Sequence, residues 1–143
     1  MRWFSVIATW FGLGLVPYAP GTFGSLGALP LAWVMLTMAW KYQLLVYFFV
    51  LLLSYAAAHH YGLIVQNSDH RSIVCDEVCG LLPVLLFFSV QKWLLAFVIF
   101  RFFDIIKPWP ISLADKHIKG ALGCILDDLL AGCFTAVVLY FSQ

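Results

Sequence analysis

Charged side chains are scarce in this sequence: of its 143 residues, 10% are charged and 64% are hydrophobic. Soluble domains usually contain about 25% charged residues, so this chain has too little polar surface to cover itself in water. The sequence also lacks any tract of basic residues, which argues against a nucleic-acid partner, and its formal net charge of +1 adds nothing to that conclusion. These absences indicate that lipid is the natural solvent of the chain.

Charge is also missing from long continuous stretches. No charged residue occurs between Arg2 and Lys41, or between Lys41 and Asp69. Apolar stretches of about 18 residues or more are candidate transmembrane helices, and an open β-sheet cannot lie in lipid. We therefore predict an all-α chain with one domain, residues 1–143, folded as a small polytopic membrane bundle. Its apolar segments are residues 3–16, 25–40, 42–65, 73–90, 93–106 and 124–141.

The first apolar segment is short for a membrane span and contains Gly12 and Gly14, with Pro17 directly after it. Its basic start followed by an apolar run resembles a signal peptide, but a cleavage site at Ala19 would leave Pro20 directly after it. We therefore expect this segment to stay in the protein as a re-entrant or interfacial helix.

The four cysteines lack the spacing of a disulfide framework or of a paired zinc site. Cys75 and Cys79 lie one helical turn apart, while Cys124 and Cys133 lie in apolar sequence, so we interpret all four as packing residues. The histidines form no ligand pattern, and we predict none of them as a ligand: His59, His60, His70 and His117.

Threading the apolar segments alternately across a bilayer separates the charged residues by side. Lys41 and Lys92 fall on one side. The other side receives most of the basic residues, which by the positive-inside rule makes it cytoplasmic. It also receives all seven acids, which that rule does not require. Its charged residues are Asp69, Arg71, Asp76, Glu77, Arg101, Asp104, Lys107, Asp115, Lys116, Lys119, Asp127 and Asp128, joined by Arg2 if the first segment is re-entrant.

Two acidic pairs, Asp76–Glu77 and Asp127–Asp128, each begin a strongly apolar stretch and are each followed by small residues. Gly80 and Gly132 would let the two helices approach closely, which would bring up to four carboxylates around one point. A divalent cation would offset their repulsion, and oxygen ligands suit Mg²⁺ or Mn²⁺. Two other interpretations stay open for the pairs, namely solvated helix N-termini and a proton relay in a transporter.

Asp104 has a basic residue three positions before it, Arg101, and another three positions after it, Lys107. On a helix this spacing places all three side chains on one face. The pattern is compatible with a salt-bridged interfacial face, or with Asp104 on a metal and the two bases on an anion. Pro108 then ends the helix.

A glycine-rich stretch, PGTFGS at residues 20–25, precedes a predicted helix that begins at Ser25. Pro-Gly favours a turn, Thr22 or Ser25 could cap the helix, and free N–H groups at a helix N-terminus bind anions. The Gly-Lys-Ser/Thr of a Walker A loop is missing. Alone the stretch is weak evidence, but beside carboxylates and bases it is a plausible phosphate cradle.

A divalent metal, fixed cations and an anion site together suit phosphoryl transfer to water. The residues of other phosphatase routes are missing. No cysteine has an arginine six positions later, and neither an Asp-x-Asp pair nor a Ser-Gly-His context occurs. Water activated by a metal ion is the chemistry that remains.

Four motifs resemble those of the bacterial phosphatidylglycerophosphatase A family, in order and over nearly the whole chain. They are GLGLVPYAPGTFGS at residues 12–25, IVCDEVCG at 73–80, FRFFDIIKPWPI at 100–111 and LDDLLAG at 126–132. The resemblance implies an all-helical, Mg²⁺-dependent enzyme of the bacterial inner membrane, with its site at the cytoplasmic face. It would release phosphate from the phospholipid phosphatidylglycerophosphate.

With this resemblance, we assign roles to the charged residues. The expected metal ligands are Asp76, Glu77, Asp104, Asp127 and Asp128, and the expected catalytic residues are Glu77, Asp104, Asp127 and Asp128. Phosphate would be held by Thr22, Gly24, Ser25, Arg71, Arg101 and Lys107. Asp69 and Asp115 are interpreted as helix caps or surface charges. An ion-coupled transporter and a non-catalytic membrane subunit are the alternatives, and the oligomeric state is left open.

Overall fold

The computed structural model describes residues 3–67 and 69–142, which contain eight α-helices and no strand. The helices are α1 (Trp3–Ala8), α2 (Pro20–Leu26), α3 (Ala28–Met35), α4 (Trp40–Val65), α5 (Cys75–Phe87), α6 (Trp93–Ile106), α7 (Ile111–His117) and α8 (Ala121–Phe141). Short 3₁₀ turns lie at Leu13–Leu15 and Val90–Lys92. The all-α prediction is confirmed. Arg2, which the sequence analysis assigned to the cytoplasmic side if the first segment is re-entrant, lies outside the described residues.

The centre of the fold is the crossing of α5 and α8, which touch backbone to backbone. A Cβ atom added to Gly132 would lie 2.3 Å from the carbonyl oxygen of Gly80, and one added to Gly80 would lie 2.5 Å from that of Asp128. Only glycine fits at such distances, so the predicted close approach at these two residues is confirmed. The crossing carries the acidic first turn of α5 to the acidic pair of α8.

Two described helices, α4 and α8, are long and apolar enough to cross a membrane, judged by length and composition alone. They have 26 and 21 residues, which at about 1.5 Å per residue gives roughly 39 and 32 Å, against a hydrocarbon core of roughly 30 Å. With 13 and 14 residues, α5 and α6 reach only roughly 20 and 21 Å. Among the described residues, the six predicted apolar segments therefore yield two candidate spans.

Large apolar side chains cover the outer surface of the long helices. Exposed fractions exceed half for Leu45, Phe49 and Leu52 on α4, Leu94, Val98 and Ile105 on α6, and Val137 and Phe141 on α8. Soluble monomers rarely expose apolar patches this extensive. The surface is therefore suited to contact with lipid.

The N-terminal segment packs against the loop that leads into α5 and forms a hydrogen bond with it. The N–H of Val74 donates to the carbonyl oxygen of Ala8 at 2.9 Å, and α1 packs along α4. Gly14 lies so close to this loop that a Cβ there would be 2.1 Å from the carbonyl oxygen of Ser72. With six residues, α1 is only about 9 Å long, too short to cross a membrane.

The predicted segments 3–16 and 25–40 leave a break over residues 17–24. This prediction is wrong in part, because α2 already begins at Pro20 and a separate helix, α3, begins at Ala28. Proline is favoured at the first position of a helix, where its missing N–H has no role. Here it starts the helix that the glycines after it were expected to exclude. The predicted helix at residues 93–106 is confirmed with its bounds.

Replacing Gly132 by alanine tests the crossing. We expect Gly132→Ala to lower the free energy of unfolding by about 1–3 kcal/mol, because the new methyl group meets backbone atoms that cannot rotate away. Cys133→Ala changes an exposed residue of the same turn and should leave stability unchanged. Thermal or denaturant unfolding in detergent measures both, and equal stability of the two variants would contradict the described contact.

Candidate active site

A polar cavity of about 280 Å³ lies where the first turn of α5 faces α8. It gathers all five carboxylates that were predicted as metal ligands. The three basic side chains Arg71, Arg101 and Lys107 also line it, together with Asp69, His70 and Cys124. Charged residues that lie up to 59 positions apart in sequence, from Asp69 to Asp128, therefore share one site.

The crossing of α5 and α8 buries the acidic residues at its centre. Asp76 is 8% exposed and Asp128 is 4% exposed. Asp76 stands in the first turn of α5, where a negative charge complements the helix dipole, and its carboxylate accepts the N–H of Glu77 at 3.1 Å. Asp128 lies within hydrogen-bonding reach of the Asp104 carboxyl group. Three helices thus bring their carboxylates to one wall of the cavity.

Arg101 on α6 is the internal counter-ion of two of these acids. Its guanidinium lies 3.3 Å from a carboxylate oxygen of Glu77 and forms a short hydrogen bond with Asp104, one helical turn further on. All three side chains are largely buried, so the ion pairs are poorly screened. The prediction that Arg101 and Asp104 share a helix face is confirmed by this contact.

Lys107 does not share that face, contrary to the sequence prediction. It follows the last residue of α6 with a positive φ of 47°, and this left-handed turn directs its side chain towards α8 and α7. Its ammonium group lies 2.5 Å from an oxygen of Asp127 and 2.8 Å from one of Asp115. Asp115, interpreted from sequence as a cap or surface charge, is in fact an ion-pair partner of a cavity residue.

The two partners shift their pKa values in opposite directions. Burial by itself would lower the pKa of Lys107, but its hydrogen bonds to Asp115 and Asp127 outweigh burial and raise the pKa above its ordinary value. The hydrogen bond from Lys107 lowers the pKa of Asp115. Both groups therefore stay ionised throughout the neutral range.

The composition of the cavity fits a divalent cation with oxygen ligands. Its lining contains six acids and three bases, a formal excess of three negative charges when all are ionised. Among the described residues, Asp76 and Asp128 have no ion-pair partner. Within the described ranges, no three or more histidine, cysteine, aspartate or glutamate side chains lie together in an arrangement that could hold a metal ion as it stands. The donor chemistry fits Mg²⁺, while the carboxylates are partly occupied by Arg101 and Lys107.

The predicted phosphate-binding residues Thr22, Gly24 and Ser25 do not line the cavity, whereas Pro20 and Gly21 do. They belong to α2, which packs behind Glu77 and Arg101. The Ser25 hydroxyl donates to the carbonyl oxygen of Gly21 at 2.9 Å and lies 3.4 Å from Glu77. A Cβ on Gly24 would lie 2.7 Å from Glu77. The small residues of α2 thus make room for the ion pair, and their phosphate-binding role stays a prediction.

Three cavity residues with polar or ionisable side chains carried no site prediction: Asp69, His70 and Cys124. Asp69 and His70 lie in the short loop between α4 and α5, and Cys124 lies one turn before the acidic pair of α8. Their closeness in sequence to the predicted acids could have indicated that they line the site. Their residue types alone could not, because each is common in loops or in apolar packing.

Comparisons with known proteins point to one family. The family profile of phosphatidylglycerophosphatase A matches residues 6–143. The chain is 37% identical over 139 residues to the phosphatidylglycerophosphatase A of Escherichia coli (strain K12), covering 95% of this chain and 81% of that protein. The corresponding protein of Haemophilus influenzae is 35% identical over 142 residues, covering 96% of this chain and 87% of its own.

A third relative, from Bacteroides thetaiotaomicron, is called a putative phosphatidylinositol-3-phosphatase. It is 31% identical over 150 residues, covering 96% of this chain and 92% of its own. No solved structure gives a significant match to the chain.

The two ion pairs of Lys107 predict unequal effects of mutation. Lys107→Met should cost up to about 3 kcal/mol of stability, because it leaves the buried Asp127 carboxylate without its partner. Asp115→Asn should cost less than about 1 kcal/mol, because the Asp115 side chain is 41% exposed and exposed pairs contribute little. Denaturant unfolding at neutral pH measures both, and a larger loss for Asp115→Asn would contradict the described burial.

The difference in stability between the wild type and Asp115→Asn should depend on pH. Since the pKa of Asp115 is lowered in the folded state, its contribution is present above the unfolded value of about 3.9 and is lost as the pH falls through the folded value. Unfolding at a series of pH values should therefore show the difference at neutral pH and its disappearance in strong acid. A difference that persists in acid would exclude the ion pair as its cause.

Proposed function

This chain belongs to the phosphatidylglycerophosphatase A family, and from that premise we propose that it hydrolyses the phosphomonoester of phosphatidylglycerophosphate, giving phosphatidylglycerol and phosphate. The observation that carries the proposal is the single cavity that gathers five predicted carboxylates with three bases. It stands beside helices whose outer surface is suited to lipid. A lipid with an anionic headgroup matches both properties.

A magnesium ion is part of this proposal. Asp76 and Asp128 are its first expected ligands, since they are buried and are free of the ion pairs that engage Glu77, Asp104 and Asp127. When bound, the metal would lower the pKa of a water molecule and offset charge on the phosphoryl oxygens. The remaining predicted ligands, Glu77, Asp104 and Asp127, surround the same cavity.

The chain's own residues supply the rest of the chemistry. Arg101 and Lys107 can bind the non-bridging oxygens of the phosphate, since each already contacts anionic oxygens at the cavity wall. Fixed cations of this kind stabilise the charge that spreads over the phosphoryl oxygens in the transition state. Asp104, which is paired with Arg101, is the carboxylate that we assign to accept a proton from the attacking water. Arg71, at the exposed side, can attract the headgroup.

The membrane arrangement is also a proposal. The relatives are bacterial, and α4 and α8 are the candidate spans. We place the chain in the inner membrane as a multi-pass protein, with the cavity at the cytoplasmic face and the N-terminal segment interfacial or re-entrant. The acyl chains of the substrate would then stay in the bilayer while the headgroup enters the cavity.

Asp127→Asn and Asp128→Asn test the assignment of the carboxylates. Each should reduce Mg²⁺-dependent phosphate release by about a hundredfold or more, because a bound metal supplies several kcal/mol of charge stabilisation. Purified variants are assayed on phosphatidylglycerophosphate in mixed micelles. Thermal unfolding shows whether each variant is folded.

Lys116→Gln serves as the matched control, because Lys116 is an exposed residue at the same end of the protein and does not line the cavity. It should keep wild-type activity. Full activity of folded Asp127→Asn and Asp128→Asn proteins would overturn the assignment of these residues. Ion flux in sealed vesicles without phosphate release from any lipid would favour the transporter alternative instead.

Headgroup selectivity is tested by a panel of lipid phosphates, since one relative is named for a phosphoinositide. The cavity of about 280 Å³ is at the small end of ligand sites, which usually measure about 300–1,000 Å³. We therefore expect phosphatidylglycerophosphate, with its slender glycerol phosphate, to give a kcat/KM at least about tenfold above that of phosphatidylinositol 3-phosphate. Equal or reversed values of kcat/KM would contradict phosphatidylglycerophosphate as the preferred substrate and would favour the phosphoinositide.

A further inference from the structure

His70 lies on the cavity wall between Asp69 and Arg71, in the loop that joins α4 to α5. Its Nδ1 atom is engaged away from the cavity. The backbone N–H of Ser72 is directed at Nδ1 at 3.3 Å, and the Ser72 hydroxyl oxygen lies 2.6 Å from the same atom. Ser72 itself is almost completely buried.

These contacts determine where the imidazole carries its proton. A backbone N–H can only donate, so Nδ1 must accept and is unprotonated. The Ser72 hydroxyl then donates to Nδ1 and in turn accepts the hydroxyl proton of Tyr61, whose oxygen lies 3.1 Å away. The neutral ring therefore carries its proton on Nε2, the ring nitrogen that is left for the cavity.

The loop that holds this arrangement is fixed on both sides. The N–H of Ile73 donates to the carbonyl oxygen of His70 at 2.8 Å, and Gly14 packs against the carbonyl of Ser72. Groups held in place before a ligand arrives bind it without a further ordering cost. His70 is therefore a preorganised donor rather than a mobile side chain.

A neutral donor has a particular value in this cavity. The cations Arg101 and Lys107 are already paired with Glu77, Asp104, Asp127 and Asp115. A neutral N–H is less strongly held by carboxylates than a cation is, and it still binds a phosphate oxygen.

We propose that His70 binds the phosphate of the substrate through Nε2–H as a neutral hydrogen-bond donor, with Ser72 and Tyr61 as the positioning residues that select this tautomer. The proposal rests on the proposed function, because it takes the phosphomonoester as the ligand. It assigns His70 no transfer of a proton.

His70→Ala and His70→Gln separate this role from acid–base catalysis. The side-chain amide of glutamine offers a neutral N–H near the position of Nε2. We expect His70→Ala to raise KM for the lipid phosphate about five- to tenfold with kcat nearly unchanged, the size expected for one hydrogen bond. His70→Gln should restore most of the loss, and the pH profile of kcat should be the same in all three proteins.

His117→Gln is the matched control, since His117 is an exposed histidine outside the cavity. It should leave KM unchanged. A wild-type KM in His70→Ala would overturn the proposal. So would an equal loss of kcat in His70→Ala and His70→Gln with an altered pH profile, which would indicate proton transfer.

The tautomer is measured independently of activity by ¹⁵N spectra of histidine-labelled protein in micelles, with the His70 signals assigned through His70→Gln. An unprotonated Nδ1 and a protonated Nε2 are expected, and Ser72→Ala or Tyr61→Phe should mix the tautomers and raise KM. A protonated Nδ1 in the wild type would overturn the proposal. If the wild type released no phosphate from any lipid, the proposed function would fail while the tautomer result would still stand.

Discussion

The excess of carboxylates over cations in one small cavity is the constraint on which the rest of this structure depends. Six acids and three bases surround about 280 Å³, and burial makes each uncompensated charge costly. Arg101 and Lys107 each divide their charge between two carboxylates. Of the cavity acids outside these ion pairs, Asp76 and Asp128 are buried, whereas Asp69 is exposed. We therefore propose the metal site between α5 and α8, beside Asp76 and Asp128.

This concentration of charge is possible only because the backbone allows it. A side chain at Gly80 or Gly132 would separate α5 from α8, and the acidic first turn of α5 would then lose its place beside Asp128. Gly21 and Gly24 allow α2 to approach α5 in the same way, since a Cβ at either would collide with Glu77. The glycines therefore position carboxylates, and their contribution to function is indirect.

The sequence predicted what local pattern encodes. Adjacent acids before an apolar run, small residues one turn later and the i, i+3 spacing of Arg101 and Asp104 were enough to find the five carboxylates and the helix crossing. It could not predict the direction of Lys107, because a single left-handed residue at the end of α6 turns that side chain away. The ion pair with Asp115 and the tautomer of His70 depend on contacts between separate elements. The spacing of residues along the sequence therefore does not predict them.

The charge of the site also bears on how a phosphomonoester could enter it. A doubly charged phosphate would add to a formal excess of three negative charges, and at short range in a poorly solvated cavity this repulsion is severe. Arg101 and Lys107 cannot compensate alone, because they are already shared with carboxylates. Either a divalent cation supplies the missing charge or acids take up protons. Protonation would remove acceptors that the attacking water needs. We therefore propose that a divalent cation supplies the missing charge and that the carboxylate cluster retains this cation.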